Sequence, residues 1–177
     1  ARGLPPEDVA DGLRSFAGVA HRLERIAARR GVDYVNDSKA TNVLSTIVAL
    51  RAYPAGVHLI AGGRGKRQDF SPLAPLVAEH CRAVYLIGEA ADELAGALGA
   101  SGVPLRVCGD LDHALAQAQA AAHAGDVVLL SPACASFDWY PGGGYPARGD
   151  DFKRLVVELI GPPAAGTDQS PAADHAG

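Results

Sequence analysis

Three short segments of the chain combine lysine, hydroxyl-bearing and glycine residues in a pattern that suits the binding of a small anion. They are residues 36–42 (NDSKATN), 62–66 (GGRGK) and 131–136 (SPACAS), and each follows a short apolar run. Glycines expose backbone N–H groups, and a helix that begins after such a loop adds a partial positive charge. Lys39 and Lys66 contribute full charges, so the three segments predict a site for a carboxylate or a phosphate.

Hydroxyl groups would add neutral donors to this site, and Ser38, Thr41 and Ser136 are the candidates. A hydroxyl can donate one hydrogen bond to an anion without bringing a charge of its own. Segment 36–42 has an equally good structural interpretation, because Asn, Asp, Ser and Thr before a helix commonly act as caps.

Other catalytic motifs are missing from the sequence. The glycine-rich segment is not a P-loop, because Ile60 stands where that motif needs Gly and Arg67 where it needs Ser or Thr, and no G-x-G-x-x-G occurs. Cys134 is expected to be a small packed residue rather than a nucleophile. The six histidines lack the spacing of metal ligands, so we expect no metal on side chains of this chain. Residues 139–145 (WYPGGGY) leave two interpretations open, a surface loop or a flap over a small ligand.

The composition is that of a globular domain. Apolar residues make up 48% and charged residues 20% of 177 residues, and the net charge is −4, which predicts neither a nucleic-acid nor an anionic-membrane partner. No run approaches the roughly 18 apolar residues of a membrane span, and no signal peptide is visible. Three cysteines without a C-x-x-C motif favour the reducing cytoplasm over a disulfide scaffold.

The elements that must position these segments alternate along the chain. We predict two strands within residues 22–35, a helix over 43–50, short buried strands starting at 57, 83, 105 and 127, a helix over 111–122 and a last helix after Asp150. Such alternation predicts an α/β fold, a Rossmann-like and mostly parallel sheet flanked by helices. Ligands of open α/β sheets bind at the carboxyl ends of the strands, which is where all three segments lie.

Taken together, the motifs resemble the carboxyl-terminal domain of the Mur ligases, which build peptidoglycan precursors. The resemblance covers about residues 1–161. It rests on residues 21–24 (HRLE), 36–42, 62–66 with 69–71 (DFS), 130–138 (LSPACASFD), and Arg148-Gly149 with Phe152. The absence of the D-N-P-R motif of other branches favours the branch that adds D-glutamate.

The resemblance implies a division of the chain and a reaction. Residues 1–20, with a helix over 6–16, would end the central ATP-binding domain and carry a hinge. Residues 21–161 would form the Rossmann-like lid domain, and residues 162–177 a disordered tail.

In the family, ATP phosphorylates the carboxylate of UDP-N-acetylmuramoyl-L-alanine, and the amine of D-glutamate then attacks the acyl phosphate. The P-loop, the Mg²⁺-binding acid and the modified lysine belong to the central domain. We therefore expect a fragment that is inactive alone, and the oligomeric state stays open.

The resemblance also assigns roles to individual residues. Residues matched to ATP are Arg22, Asp37 and Lys39; those matched to catalysis are Lys39 and His21; those matched to the two carboxylates of D-glutamate are Thr41, Lys66, Ser136, Phe137 and Tyr145. Arg64 departs from the family, which often has an acidic residue there, and the loop before Tyr145 is about two residues longer than usual.

Two other functions stay open at this point. A stand-alone, non-catalytic α/β module could bind an amino acid or a nucleotide with the same loops. A folate-polyglutamating ligase would share the fold, but is not expected to combine NDSKATN with SPACAS. A P-loop encoded upstream in the same reading frame would distinguish the ligase from the module.

Overall fold

The computed structural model describes Pro5 and residues 18–161 of the chain. The predicted helix over residues 6–16 and the predicted tail over residues 162–177 lie outside the described residues. Within the described part, the chain forms one six-stranded sheet with helices on both faces. No helix in this part is both long and apolar enough to cross a bilayer.

The strands are β1 (Glu24–Arg29), β2 (Val32–Asn36), β3 (Val57–Gly62), β4 (Cys81–Ile87), β5 (Leu105–Gly109) and β6 (Val127–Leu130). The helices are α1 (Val43–Leu50), α2 (Ala74–His80), α3 (Ala91–Leu98), α4 (Leu111–Ala121) and α5 (Gly144–Ile160). Short 3₁₀ turns precede α2 and follow α3. The predicted strand pair within residues 22–35 and the helix over 43–50 are confirmed.

The prediction for the last helix was wrong at its start. Helix α5 begins at Gly144, six residues before the predicted boundary at Asp150. Its first two turns contain Pro146 and Gly149, which sequence rules treat as helix breakers. Pro146 is tolerated because N–H groups in the first turn have no intrahelical partner to lose. Gly149 is explained by a tertiary contact, since a Cβ there would lie 2.2 Å from the ring of His21.

The sheet order is β1-β2-β6-β3-β4-β5, with β1 antiparallel and every other neighbouring pair parallel. This confirms the predicted mostly parallel α/β sheet. Strand β6, the last in sequence, lies between β2 and β3, so the carboxyl ends of these three strands are adjacent at the centre of the sheet. Because β1 runs the other way, the residues before it reach the same edge. That edge is the switch point at which open α/β sheets bind ligands.

Apolar side chains on the two faces of the sheet form two core layers. Helices α1, α2 and α3 cover one face, and α4 and α5 cover the other. All six residues of β3 are buried, as expected for a central strand covered on both sides. Helix α1 buries Val43 and Leu50, whereas Ile47 is only partly buried and Leu44 is 74% exposed.

Candidate functional site

The loops after β3 and β6 are joined directly by backbone hydrogen bonds. The N–H of Arg64 donates to the carbonyl of Ala135 at 2.9 Å, and the N–H of Ala135 donates back at 3.2 Å. Gly63, with φ +125°, makes this approach possible, because a Cβ there would lie 2.2 Å from the Ala135 oxygen. The carboxamide of Gln68 adds a second link, donating to the carbonyl of Ala133 at 2.6 Å and accepting from the N–H of Val43.

Arg148 of α5 is a buried cation that joins all three loops. It is 1% exposed. Its guanidinium donates to the hydroxyl and carbonyl of Ser38, at 3.0 Å each, and to the carbonyls of Gly62, Cys134 and Ala135 at 3.0–3.4 Å. Burial lowers its pKa to about 10, so it stays charged at neutral pH. The planar fork of donors suits arginine and not lysine.

Asp37 is buried and held by groups from two directions. Its Oδ1 accepts from the N–H of Leu23 at 3.2 Å, and its Oδ2 accepts from the hydroxyl of Ser131 at 2.8 Å. Burial raises its pKa to about 6, although these hydrogen bonds and Arg22 act in the opposite direction. Each carboxylate oxygen keeps a second acceptor site.

His21 lies in the same edge, beside the start of β1. Its backbone takes the left-handed conformation, with φ 62°; its N–H donates to Glu24 Oε2 at 2.8 Å, and its carbonyl accepts from the N–H of Lys39 at 3.0 Å. Leu23 and Ala133 also have positive φ values, of 44° and 58°. Such conformations cost about 1–3 kcal/mol each in non-glycine residues, and they concentrate at binding sites. Next to His21, the Arg22 side chain is exposed.

Tyr145, in the first turn of α5, contacts two of the predicted site residues. Its hydroxyl lies 3.4 Å from Lys39 Nζ, which stands 5.3 Å from the centre of the phenol ring. The ring meets that of His21 edge-on, with centroids 6.1 Å apart. The structure therefore brings together Lys39, His21 and Tyr145.

Ser136 differs from the other polar side chains of this edge. The residue is 2% exposed, and its hydroxyl has no hydrogen-bond partner among the described residues. A buried hydroxyl left without a partner costs about 1–3 kcal/mol, so this hydroxyl is suited to hydrogen-bond a small polar group that enters the edge. Phe137 follows it and is 52% exposed.

The remaining predicted residues, Thr41 and Lys66, lie in the loops after β2 and β3. Thr41 is partly buried directly before α1, and Lys66 is exposed in the loop after β3. The charge of Lys66 is close enough to act on the thiol of Cys134. That thiol is fully buried, and burial raises its pKa to about 12, which confirms its role as a packed residue.

Two residues of this edge, Asn36 and Arg148, were noted in the sequence only as parts of motifs and received no role. Asn36 is fully buried beside His21. An arginine next to a glycine in a helix gives no local signal for burial, because its partners lie up to 110 residues away in sequence.

Within residues 18–161, no group of three His, Cys, Asp or Glu side chains is placed to hold a metal ion. Mg²⁺ prefers carboxylate and water oxygens in octahedral geometry. Asp37 is a single buried carboxylate, so this edge does not fit Mg²⁺ by itself.

Comparison with known proteins agrees with this geometry. The family model of the Mur ligase glutamate ligase domain matches residues 21–134. The chain belongs to the Mur ligase family. The matched segment holds β1 to β6, with the loops after β2 and β3 and the start of the loop after β6.

Individual Mur ligases extend the match. The UDP-N-acetylmuramoylalanine–D-glutamate ligase of Anaeromyxobacter dehalogenans is 50% identical over 159 residues, covering 88% of this chain and 34% of that protein. Among solved structures, the murein peptide ligase of Psychrobacter arcticus has a TM-score of 0.58 at 16% identity, covering 88% of this chain and 33% of that one. The MurF ligase of Thermotoga maritima in complex with ADP has a TM-score of 0.52 at 19% identity, covering 83% and 32%. The chain thus spans about a third of the length of the relatives it matches.

Proposed function

We propose that this chain is the lid part of an ATP-dependent Mur ligase and that it carries D-glutamate to UDP-N-acetylmuramoyl-L-alanine during peptidoglycan synthesis in the cytoplasm. The observation that carries the proposal is the buried hydroxyl of Ser136, which has no partner among the described residues at an edge flanked by lysines. Half of the matched residues are identical in a D-glutamate ligase, which supports D-glutamate over other anions.

The chemistry of D-glutamate fits the residues available. It carries two carboxylates, so it needs several donors in fixed positions. Thr41 and Ser136 would supply hydroxyls, Lys66 a charge, and the backbone at Phe137 an N–H. Tyr145 would close one side of the site. Donors in fixed positions also orient the amine for attack, and this orientation lowers the activation barrier of the reaction.

The nucleotide would approach from the β1 side of the same edge. Arg22 is exposed there and Lys39 is partly buried, and both can reach phosphate oxygens as the lid closes. Asp37 would accept from the nucleotide through its remaining acceptor sites. The ADP in the Thermotoga maritima ligase supports adenine nucleotides as ligands of such an enzyme. When bound, Mg²⁺ would be held mainly outside this chain and would neutralise phosphate charge.

A stand-alone binding module stays the alternative. Because the chain spans about a third of its relatives, a ligase needs the other two thirds for its P-loop and for its nucleotide-sugar site. We expect no ATP hydrolysis and no amide synthesis by residues 1–177 alone. Amide synthesis by residues 1–177 alone would contradict the proposal that the other two thirds of the ligase are needed.

The decisive test of the amino-acid site is calorimetric titration with D-glutamate, with L-glutamate as the control. We expect weak binding selective for the D-isomer, because half of a closed site must offset the full entropy of association. Ser136→Ala should weaken it, whereas Ser101→Ala, in the 3₁₀ turn between α3 and β5, should leave it unchanged. Equal binding of both isomers, or unchanged binding by Ser136→Ala, would contradict the assignment.

A second test uses a full-length ligase that carries this chain as its carboxyl-terminal third. Lys39→Ala should abolish turnover without reducing the free energy of unfolding, because Lys39 is only partly buried and its one side-chain hydrogen bond is long. Arg51→Ala, at the solvent-exposed end of α1, is the matched control. Turnover close to that of the unmodified enzyme would remove Lys39 from the catalytic residues.

A further inference from the structure

The side chain of Asn36, the last residue of β2, is oriented by three contacts. Its Oδ1 accepts a hydrogen bond from the N–H of Ser38 at 3.1 Å. Its Nδ2 lies 3.3 Å from Glu24 Oε2 and 3.3 Å from the carbonyl oxygen of Gly149. A backbone N–H can only donate and a carbonyl oxygen can only accept, so these contacts establish which end of the amide is the nitrogen.

Glu24 remains an acceptor at neutral pH. Burial alone would raise its pKa, but the Lys153 ammonium at 2.8 Å and the N–H of His21 hold it below its usual range. An ionised carboxylate has no hydrogen to donate, so the orientation of Asn36 does not reverse.

A fourth contact decides the tautomer of His21. Asn36 Nδ2 lies 3.0 Å from His21 Nδ1, and an amide nitrogen donates but does not accept. Nδ1 must therefore accept, and the hydrogen of the neutral ring sits on Nε2. The Nε2 atom points away from Asn36, and the nearest oxygen of the Asp150 carboxylate is 3.8 Å from it, too far for a hydrogen bond.

The ring has little freedom to turn over. A Cβ on Gly149 would lie 2.2 Å from His21 Nδ1, so the ring lies directly against the helix backbone. The Tyr145 ring meets it edge-on from another side, and the backbone of His21 is anchored by Glu24 and Lys39. Only 8% of His21 is exposed.

We propose that His21 acts at this edge as a hydrogen-bond donor through Nε2, towards an oxygen of a phosphate or carboxylate group, and that Asn36 is the positioning residue that sets this tautomer. The proposal rests on the proposed ligase function, which supplies the anionic groups. It assigns His21 no role as a base, because Asn36 occupies the lone pair of Nδ1 and Nε2 carries the hydrogen. The deprotonation of the D-glutamate amine therefore falls to another group.

The first experiment reads the tautomer directly from ¹⁵N NMR of the imidazole rings in the chain, with His21 assigned through His21→Gln. We expect a protonated Nε2 and an unprotonated Nδ1. Asn36→Asp replaces the donor by an acceptor and should move the hydrogen to Nδ1, and Asn36→Ala should give a mixture. The exposed ring of His113 should be the same in all variants. A hydrogen on Nδ1 in the unmodified chain, or one unchanged tautomer in both variants, would overturn the proposal.

The second experiment separates a donor from a base in a full-length ligase. The amide nitrogen of Gln can replace Nε2–H as a donor but cannot act as a base. His21→Ala should lower kcat by about 10²-fold, the usual effect of losing one donor to a developing charge. His21→Gln should recover most of that loss, and His113→Gln should have no effect. Equal loss in the Ala and Gln variants would overturn the donor role.

The two experiments also show whether this proposal or the proposed ligase function has failed. If the protein does not use D-glutamate, the titration of the amino-acid site fails while the NMR result for His21 stands. If the tautomer is wrong, the NMR result fails whatever the substrate is.

Discussion

Replacing Asp37 by Asn is expected to stabilise the chain at neutral pH. Burial raises the pKa of Asp37 from 3.8 to about 6. Ionisation of this carboxyl is therefore less favourable in the folded state than in the unfolded state. At 1.36 kcal/mol per pKa unit, the difference corresponds to about 3 kcal/mol of stability lost once the group is ionised. The loss is absent below pH 3.8, grows as the pH rises towards 6, and is complete above that value.

The local hydrogen bonds allow the substitution. In Asp37→Asn the amide oxygen can still accept from the N–H of Leu23. The amide nitrogen would face the hydroxyl of Ser131, which lies 3.2 Å from the hydroxyl of Thr46. Ser131 can turn its hydrogen to Thr46 and accept from the new amide, so no buried group loses its partner.

The assay is urea unfolding of the unmodified chain and of Asp37→Asn between pH 4 and pH 8. The difference in free energy of unfolding should be only about 0.5 kcal/mol at pH 4 and should reach about 3 kcal/mol in favour of Asp37→Asn above pH 6. Asp110, whose side chain is about half exposed, is the control of opposite sign, because the hydrogen bond from the N–H of His113 lowers its pKa. Asp110→Asn should lose stability at neutral pH and regain it as the pH falls. A difference for Asp37→Asn that does not change with pH would refute the reasoning.

Two pairs of substitutions test the packing with matched controls. Gly149→Ala should displace the His21 ring and lower both stability and turnover, whereas Gly96→Ala, with open space around its Cβ position in α3, should stabilise by about 0.5–1 kcal/mol. Unfolding curves and a turnover assay check both, and equal effects would contradict the contact. Leu50→Ala, fully buried, should cost about 2–5 kcal/mol; Leu44→Ala, 74% exposed on the same helix, should cost less than about 0.5 kcal/mol. Similar losses for the two leucines would refute the assigned buried face of α1.

Several elements were predictable because their signals are local. Continuous apolar runs identified the strands, and β3, β4 and β6 are buried as predicted. The prediction of a buried strand at 105 was wrong, because β5 lies at the edge of the sheet and none of its residues is buried. Helical spacing from Val43 to Leu50 identified α1 with its correct bounds. The cap of α4 was also predictable, since Asp110 accepts from the N–H of His113 three residues on. Helical spacing also puts Ile47 on the same face as Val43 and Leu50, but the structure shows Ile47 only partly buried. The spacing of apolar residues indicates a face and does not indicate how far the neighbouring layer covers it.

Candidate site residues were predictable as residues at strand ends but not as partners. The rule for carboxyl ends placed Lys39, Lys66 and Ser136 at one edge of the sheet. It could not indicate that Tyr145 would approach Lys39, since α5 begins where Gly and Pro predict a loop. In the first turn of α5 the carbonyl of Tyr145 accepts from the hydroxyl of Ser38 at 2.8 Å, a contact that no local pattern contains.

By itself, the sequence determined the alternation of strands and helices, the position of three polar loops at strand ends and the resemblance to the Mur ligases, since each depends on residues near one another along the chain. Only the tertiary structure decided that β6 lies between β2 and β3, that Arg148 is a buried cation among carbonyls, and that Asn36 orients His21. The physical reason is that burial, pKa and tautomer depend on what surrounds a group in space. For Asn36 and Arg148 those surroundings include residues more than 100 positions away in the chain.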